Sequence, residues 1–287
     1  MSFLYGVPII GAVALATGTV LEKTILKVKN INVKQYQTLG FLAIIITMLP
    51  FVWFLWRIES QALTLGNLGI LGAVVIFSIV ANLFTFYSMK WEKVSNLEPA
   101  KILEPLFVIV LAIIFSFVLD SSLYERNLNI LVPAIIAGLA LVFSHIKKHH
   151  LNFNKYFIFA IFGSFFFALE LVISRLILDF YSPISFYFIR CLSIFVISLI
   201  AFRPNLKGVS TKIKWQILIA GAIWVVYRVM IYYGYLHLGI AFTTLTIMLG
   251  PVFIYLFAWK FLREKIEMRN IIVAAIIVAS ILYALIT

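Results

Sequence analysis

The residues best equipped for chemistry in this chain are ionisable groups set inside long apolar runs. Glu98, Lys101 and Glu104 follow one another at spacings of three. A helix carries them on one side, where i,i+3 neighbours can pair. Two outcomes stay open: a solute or proton site at a cavity mouth, or an ion-pair ladder that neutralises itself along the helix. Pro105 follows Glu104, and its ring removes a helical hydrogen bond and can open the backbone locally. Further along, Glu170, Arg190 and Arg228 lie within three other apolar runs. An arginine does not readily shed its proton, so each needs an anion, a carbonyl or water beside it. One arrangement pairs Glu170 with one arginine and leaves the other to clamp a carboxylate or phosphate. A closed internal ion network is the alternative.

Asn82 is an uncharged candidate, either for lining a cavity or for bonding a neighbouring helix. Trp224, Tyr227 and Arg228 share a helical face with Ile231 at spacings of three and four. That face could stack a planar solute beside a guanidinium, or pack helices together. The candidate substrate-binding set is therefore Asn82, Glu104, Glu170, Arg190, Trp224, Tyr227 and Arg228, with Glu104 or Glu170 as the group that would couple a proton. Glu22, Lys23 and Arg175 lie near the ends of runs, where long side chains can snorkel to the interface. Trp53, Trp56, Trp91 and Trp215 have the positions of an interfacial belt.

Other chemistries find little support. His145 and His149 are one helical turn apart, with His150 beside them, but Lys147, Lys148 and Lys155 would repel a cation there. That segment reads as a solvated loop and not a metal site. Cys191 is the single cysteine, inside an apolar run, and reads as a small buried hydrophobe. No glycine-rich phosphate cradle and no cluster of His, Asp and Glu suited to metal or acyl chemistry is present, so neither a cofactor nor an enzyme is implied.

What must position these groups is a membrane scaffold. Of 287 residues, 64% are hydrophobic and 12% charged, with a mean hydropathy of +1.10. Soluble domains carry roughly 25% charged residues. A bilayer core needs about 20 apolar residues per helix. Runs of that kind lie at about 3–24, 35–56, 65–88, 95–118, 128–146, 154–178, 183–202, 214–236, 241–261 and 270–286. The first has no basic residues ahead of it, so it reads as a membrane helix and not a cleaved signal. Short polar loops join the runs, and no hydrophilic stretch is long enough for a soluble domain. The net charge of +12 then reflects loop lysines and not nucleic-acid binding.

The halves resemble each other. Gly11 aligns with Gly163 and Lys23 with Arg175 at an offset of 152. Glu104-Pro-Leu-Phe aligns with Gly250-Pro-Val-Phe at 146, and Arg126-Asn127 with Arg269-Asn270 at 143. Five spans per half is an odd number, so the second half must run inverted. The expected fold is all-α and integral to the membrane, with ten transmembrane helices as two inverted five-helix repeats, 1–148 and 152–287. Inverted repeats recur in secondary transporters.

The stretch Leu249-Gly-Pro-Val-Phe, then Leu256-Phe-Ala-Trp-Lys-Phe-Leu-Arg-Glu264, then Arg269 and an apolar final run, resembles the closing segment of EamA-type proteins of the drug/metabolite transporter superfamily. Glu104 to Phe107 sits where the first copy would lie. Glu264 has only Asp120 or Glu125 as a counterpart, a departure from symmetry. The resemblance implies a transporter of small organic solutes, a class that includes amino acids, nucleosides, sugar phosphates and drugs.

Fifteen of the 23 lysines and arginines fall in the loops after spans 1, 3, 5, 7 and 9, against only Arg57 and Arg126 on the opposite face. By the positive-inside rule both termini face away from the cytoplasm, whereas family habit places them inside. The expectation is a multi-pass protein of the cell's inner or plasma membrane that moves an amino acid-like, anionic or zwitterionic solute by alternating access, with protons as the candidate coupling ion. The rival readings are a lipid-linked carrier or flippase, needing a lateral opening, and a membrane protein without transport activity.

Overall fold

A computed structural model of the protein describes residues 2–28, 31–92, 94–119, 123–124, 126–145, 154–205, 209–262 and 268–286. Lys147, Lys148, His149, His150, Asp120, Glu125, Arg263 and Glu264 lie outside the described residues, as do the side chains of Glu98, His145, Trp259 and Lys260. The loop and metal readings that involve them therefore stay as sequence expectations.

Twelve α-helices are described: α1 (Ser2–Leu26), α2 (Val33–Leu55), α3 (Leu65–Trp91), α4 (Val94–Lys101), α5 (Leu103–Val118), α6 (Leu128–His145), α7 (Lys155–Leu178), α8 (Pro183–Phe202), α9 (Thr211–His237), α10 (Ile240–Ile247), α11 (Leu249–Leu262) and α12 (Met268–Ile286). Short polar residues start many of them. The side chains of Asn32, Thr64, Asn154, Ser182 and Ser210 each accept a hydrogen bond from a first-turn N–H, satisfying donors that the helix itself leaves open. Eight helical segments are long and apolar enough to cross a membrane, and two shorter apolar ones, Leu128–Ser144 and Ile240–Ile254, accompany them. Large apolar side chains cover the outside, among them Trp53, Phe54, Leu65, Phe117 and Ile286. In water that surface would be a liability; against lipid it is what a helical membrane protein presents.

Two expected spans lapse from regular helix for one residue, the run at 95–118 at Ile102 between α4 and α5 and the run at 241–261 at Met248 between α10 and α11, with both residues still in the right-handed helical region. The cause is the same in both. A proline ring clashes with the carbonyl four residues earlier. The residue four before Pro105 is Lys101, the last of α4; the residue four before Pro251 is Ile247, the last of α10.

The most extensive helix packing is α3 on α7 and α1 on α9, followed by α2 on α8 and α2 on α9. Glycine sits at both of the most extensive crossings. A Cβ on Gly163 would lie 2.5 Å from Thr85 Oγ1 and 3.4 Å from the Ala81 carbonyl oxygen, and one on Gly11 would lie 3.0 Å from Ile247 Cδ1 and 3.8 Å from the Tyr227 oxygen. Tyr227 follows Ala81 by 146 positions, the offset that also brings Gly250-Pro251 onto Glu104-Pro105.

On the face that carries Arg57, the segment after α2 zips to the turn between α7 and α8. Ile58 and Tyr181 form an antiparallel bridge. Glu59 N donates to Phe180 O at 2.9 Å and Ser182 N to Arg57 O at 3.0 Å. Ser182 Oγ adds a bond to Leu55 O at 2.6 Å. At the other end of the molecule, Gln35 Nε2 donates to Asn205 O at 2.5 Å.

Candidate functional site

Glu170 on α7 sits at the centre of a buried charged cluster and has 0% exposure. Arg190 from α8 approaches its Oε1 at 3.2 Å, and Arg228 from α9 its Oε2 at 3.3 Å. Arg190 is further held by donating Nε to Ser78 Oγ on α3 at 2.9 Å and Nη1 to the Tyr232 hydroxyl at 2.6 Å. Tyr232 passes the chain on by donating to Glu170 Oε1 at 3.0 Å. Three helices thus meet on one carboxylate, and α3 joins them through Ser78. The arrangement with a single arginine on Glu170 is corrected by this geometry, because both guanidiniums contact it. Two cations against one anion still leave the cluster with an excess positive charge.

Arg228 is the less satisfied partner. Its Nη1 and Glu170 Oε2 are close, yet both lack a hydrogen bond among the described residues. Its guanidinium also lies over the rings of Phe167 at 5.4 Å and Tyr227 at 5.6 Å, contacts that attract a cation but accept no hydrogen bond from it in the ordinary sense.

A cavity of about 90 Å³ opens beside this cluster. Asn82, Glu104, Arg190, Trp224, Tyr227 and Arg228 all line it, with Gln37, Glu22 and Lys101. Glu170 stands behind Arg190 and Arg228. Asn82 donates to Ser78 O in its own helix at 2.7 Å, not to a neighbouring helix. Trp224 meets Tyr227 edge-on with centroids 5.3 Å apart.

A second, adjoining cavity of about 430 Å³ shares Leu15, Thr19, Lys101, Glu104 and Tyr227 with the first. Both helix interruptions border it, through Ile102, Glu104 and Pro105 on one side and Ile247, Met248, Gly250 and Pro251 on the other. Its far end reaches Lys23, Thr24 and Lys27, on the lysine-rich face.

Two expectations change. Glu22 and Lys23 do not snorkel: they are 5% and 6% exposed. Glu22 accepts from the Tyr36 hydroxyl at 3.1 Å. Lys23 donates to the carbonyls of Met89 and Glu92, because the end of α1 lies against the end of α3 and unpaired terminal carbonyls are better partners than the distant interface. Lys101 and Glu104 form no ion pair among the described residues. The break at Ile102 interrupts the helix between them, and the Lys101 ammonium lies 3.6 Å from Met89 Sδ. Arg175 pairs with Asp179 at 2.7 Å.

Gln37 and Tyr232 entered no sequence-based site. Gln37 is fully buried, and its amide oxygen and nitrogen are both without a hydrogen bond among the described residues. It stands in the first turns of α2, where the sequence gives an uncharged residue no signal of burial. Tyr232 lies one turn beyond Arg228, a spacing that was open to inspection.

An all-helical bundle with an apolar exterior and a charged interior cavity defines a helical membrane protein. Residues 154–286 match the EamA-like transporter family. No curated protein matches its sequence. Among 28 solved chains that match, one described as a crystal structure of a protein is 16% identical, with a TM-score of 0.66 over 98% of each chain. That likeness is one of fold.

Proposed function

We propose that the protein is a secondary transporter of a small organic solute, amino acid-like or otherwise anionic or zwitterionic, working by alternating access. In this reading the chain crosses the membrane ten times as two inverted repeats, 1–148 and 152–287, with α4–α5 and α10–α11 as the fourth and ninth spans. The observation that carries it is the pair of helix interruptions at matching places, both bordering one cavity that also holds Glu104 and Lys101. Discontinuous helices facing a central site are the recurrent transporter solution, because interrupted turns supply free backbone groups to a solute inside the membrane. Intramembrane charges without a closed pairing scheme point the same way. The packing of α1 on α9 and α3 on α7, with Gly11 and Gly163 at the two crossings, supports the repeat.

The charge bias places the lysine-rich face in the cytoplasm of a cell's inner or plasma membrane. The larger cavity then reaches the cytoplasmic side, while the backbone pairing of Ile58 with Tyr181 closes the other. Glu104, shared by both cavities, is the candidate for proton coupling.

One observation favours a second reading. Val20 and Thr24 line the larger cavity and are also exposed on the outer face of α1, as a lateral route for a lipid-linked carrier would require.

Thermal unfolding of the detergent-purified protein against amino acids, nucleosides, sugar phosphates and polar lipids separates these readings. A ligand confined to the folded state stabilises it by about 2.7 kcal/mol at a hundredfold excess over its dissociation constant. The proposal expects stabilisation by one soluble class, lost in Arg228→Gln or Glu104→Gln. Stabilisation by lipids alone would select the second reading, and no stabilisation by any class would overturn both.

A further inference from the structure

On the outer surface, α2 and α9 come close at Gly221, where a Cβ would lie 2.9 Å from the Ala43 carbonyl carbon and 3.0 Å from Ile44 N. Beside this crossing the two helices leave a groove of about 330 Å³. Leu39, Leu42 and Ile46 of α2 and Leu218 of α9 give it an apolar lining. Thr211, Lys214 and Trp215 add polar groups at the end nearest the start of α9. Ile46 is 47% exposed and Trp215 61%, so the groove opens outward, on the surface that meets lipid.

Charge at that end has one sign. Lys34 in the first turn of α2 and Lys212 and Lys214 in the first turn of α9 are all exposed. The bond from Gln35 Nε2 to Asn205 O holds the start of α2 against the segment that leads into α9. The sequence has no Asp or Glu between Glu22 and Glu59, nor between Asp179 and Glu264. Neither helix therefore offers these lysines a carboxylate. A second copy of the chain seated here by two-fold symmetry would set the same lysines against themselves. An anionic headgroup supplies the missing charge instead, and basic pockets between helices on the cytoplasmic side suit such headgroups. Ile217, buried, lines both the groove and the smaller central cavity. Whatever fills the groove thus braces one wall of the site behind it.

We propose that the groove binds an anionic phospholipid of the cytoplasmic leaflet, with its phosphate on Lys214 and Thr211 and an acyl chain along Leu39, Leu42, Ile46 and Leu218. This rests on the membrane setting and orientation given above and is independent of which solute the cavities take.

The test is native mass spectrometry and thermal unfolding in a neutral detergent with dioleoylphosphatidylglycerol or dioleoylphosphatidylcholine. The anionic lipid should bind and stabilise the protein more strongly than the choline lipid. Lys214→Gln should weaken its binding about fivefold, the effect of one lysine beside an anionic surface. Lys155→Gln, at an exposed lysine on α7 of the same face, should leave it unchanged. Leu42→Trp fills the groove, keeps every lysine and should abolish retention of the lipid. Leu42 and Lys214 lie on different helices, so either variant carries the test if the other fails to fold. Equal binding of the two lipids, or equal losses in Lys214→Gln and Lys155→Gln, would overturn the proposal in favour of diffuse attraction. A lipid-free dimer that Leu42→Trp dissolves would give the groove to a second copy and overturn it too. Lipid stabilisation lost in Glu104→Gln but kept in Leu42→Trp would place the lipid in the central cavities, sinking this inference while supporting the lipid-carrier reading.

Discussion

Glu170 has zero exposure, and two guanidiniums and the Tyr232 hydroxyl surround it. Removing one member of such a cluster leaves the others buried without compensation, which costs about 3–5 kcal/mol. Glu170→Gln should therefore lower the unfolding temperature sharply in detergent. Glu22→Gln supplies the control. Its amide oxygen can still accept from Tyr36, so its loss should stay under about 1 kcal/mol. Equal losses in the two variants would mean that the pairing of Glu170 with Arg190 and Arg228 contributes little. At this scale the sequence was informative where a charge lay deep inside an apolar run, as at Arg190 and Arg228. It was uninformative where the position looked terminal. Lys23 reads as a snorkelling lysine until α3 supplies carbonyls beside it, and the burial of Gln37 has no local signal. The neighbour of Lys23 is not visible in a local window, because it comes from a distant part of the chain.

The elements owe their shapes to a few residues with steric consequences. Pro105 and Pro251 set the breaks that border the larger cavity, and both could be read from the sequence through the clash with the carbonyl four residues before. Proline lacks the N–H needed in a continuous helix, so Pro251→Ala permits α10 and α11 to join. That variant should fold at least as stably as the parent while losing solute binding, measured by the ligand-induced rise in unfolding temperature. Full retention of binding would show that the break does not shape the site. Close helix approach is the other local device. Gly163→Ala would drive a methyl group to 2.5 Å from Thr85 Oγ1, and overpacking of this kind costs about 1–3 kcal/mol. Gly69→Ala meets nothing within 4 Å and should be neutral or stabilising by up to about 1 kcal/mol. The order of the two unfolding temperatures tests whether α3 and α7 are as tightly apposed as described.

At the scale of the molecule, the long apolar helices were legible because lipid demands long apolar runs, while the duplication stays a proposal that rests on sequence offsets. The interruptions within spans four and nine were blurred, since hydropathy averages over a proline. Orientation follows from charge alone. A membrane-impermeant maleimide applied to intact cells should label Leu63→Cys, exposed beyond α2, and leave Lys212→Cys unlabelled; the reverse pattern would place the termini in the cytoplasm. The pairing of Ile58 with Tyr181 joins the two halves on one face, and antiparallel partners lie close enough for a disulfide. In a Cys191→Ser background, Ile58→Cys with Tyr181→Cys should therefore cross-link and hold that face shut. Solute counterflow into proteoliposomes, measured across the solute panel with this double variant, tests alternating access most directly. The account predicts that the parent protein exchanges one class of small organic solute, that oxidation of the pair stops exchange and that a reductant restores it. Exchange that continues with the pair fully cross-linked, or a folded protein that exchanges no solute of any class, would contradict it.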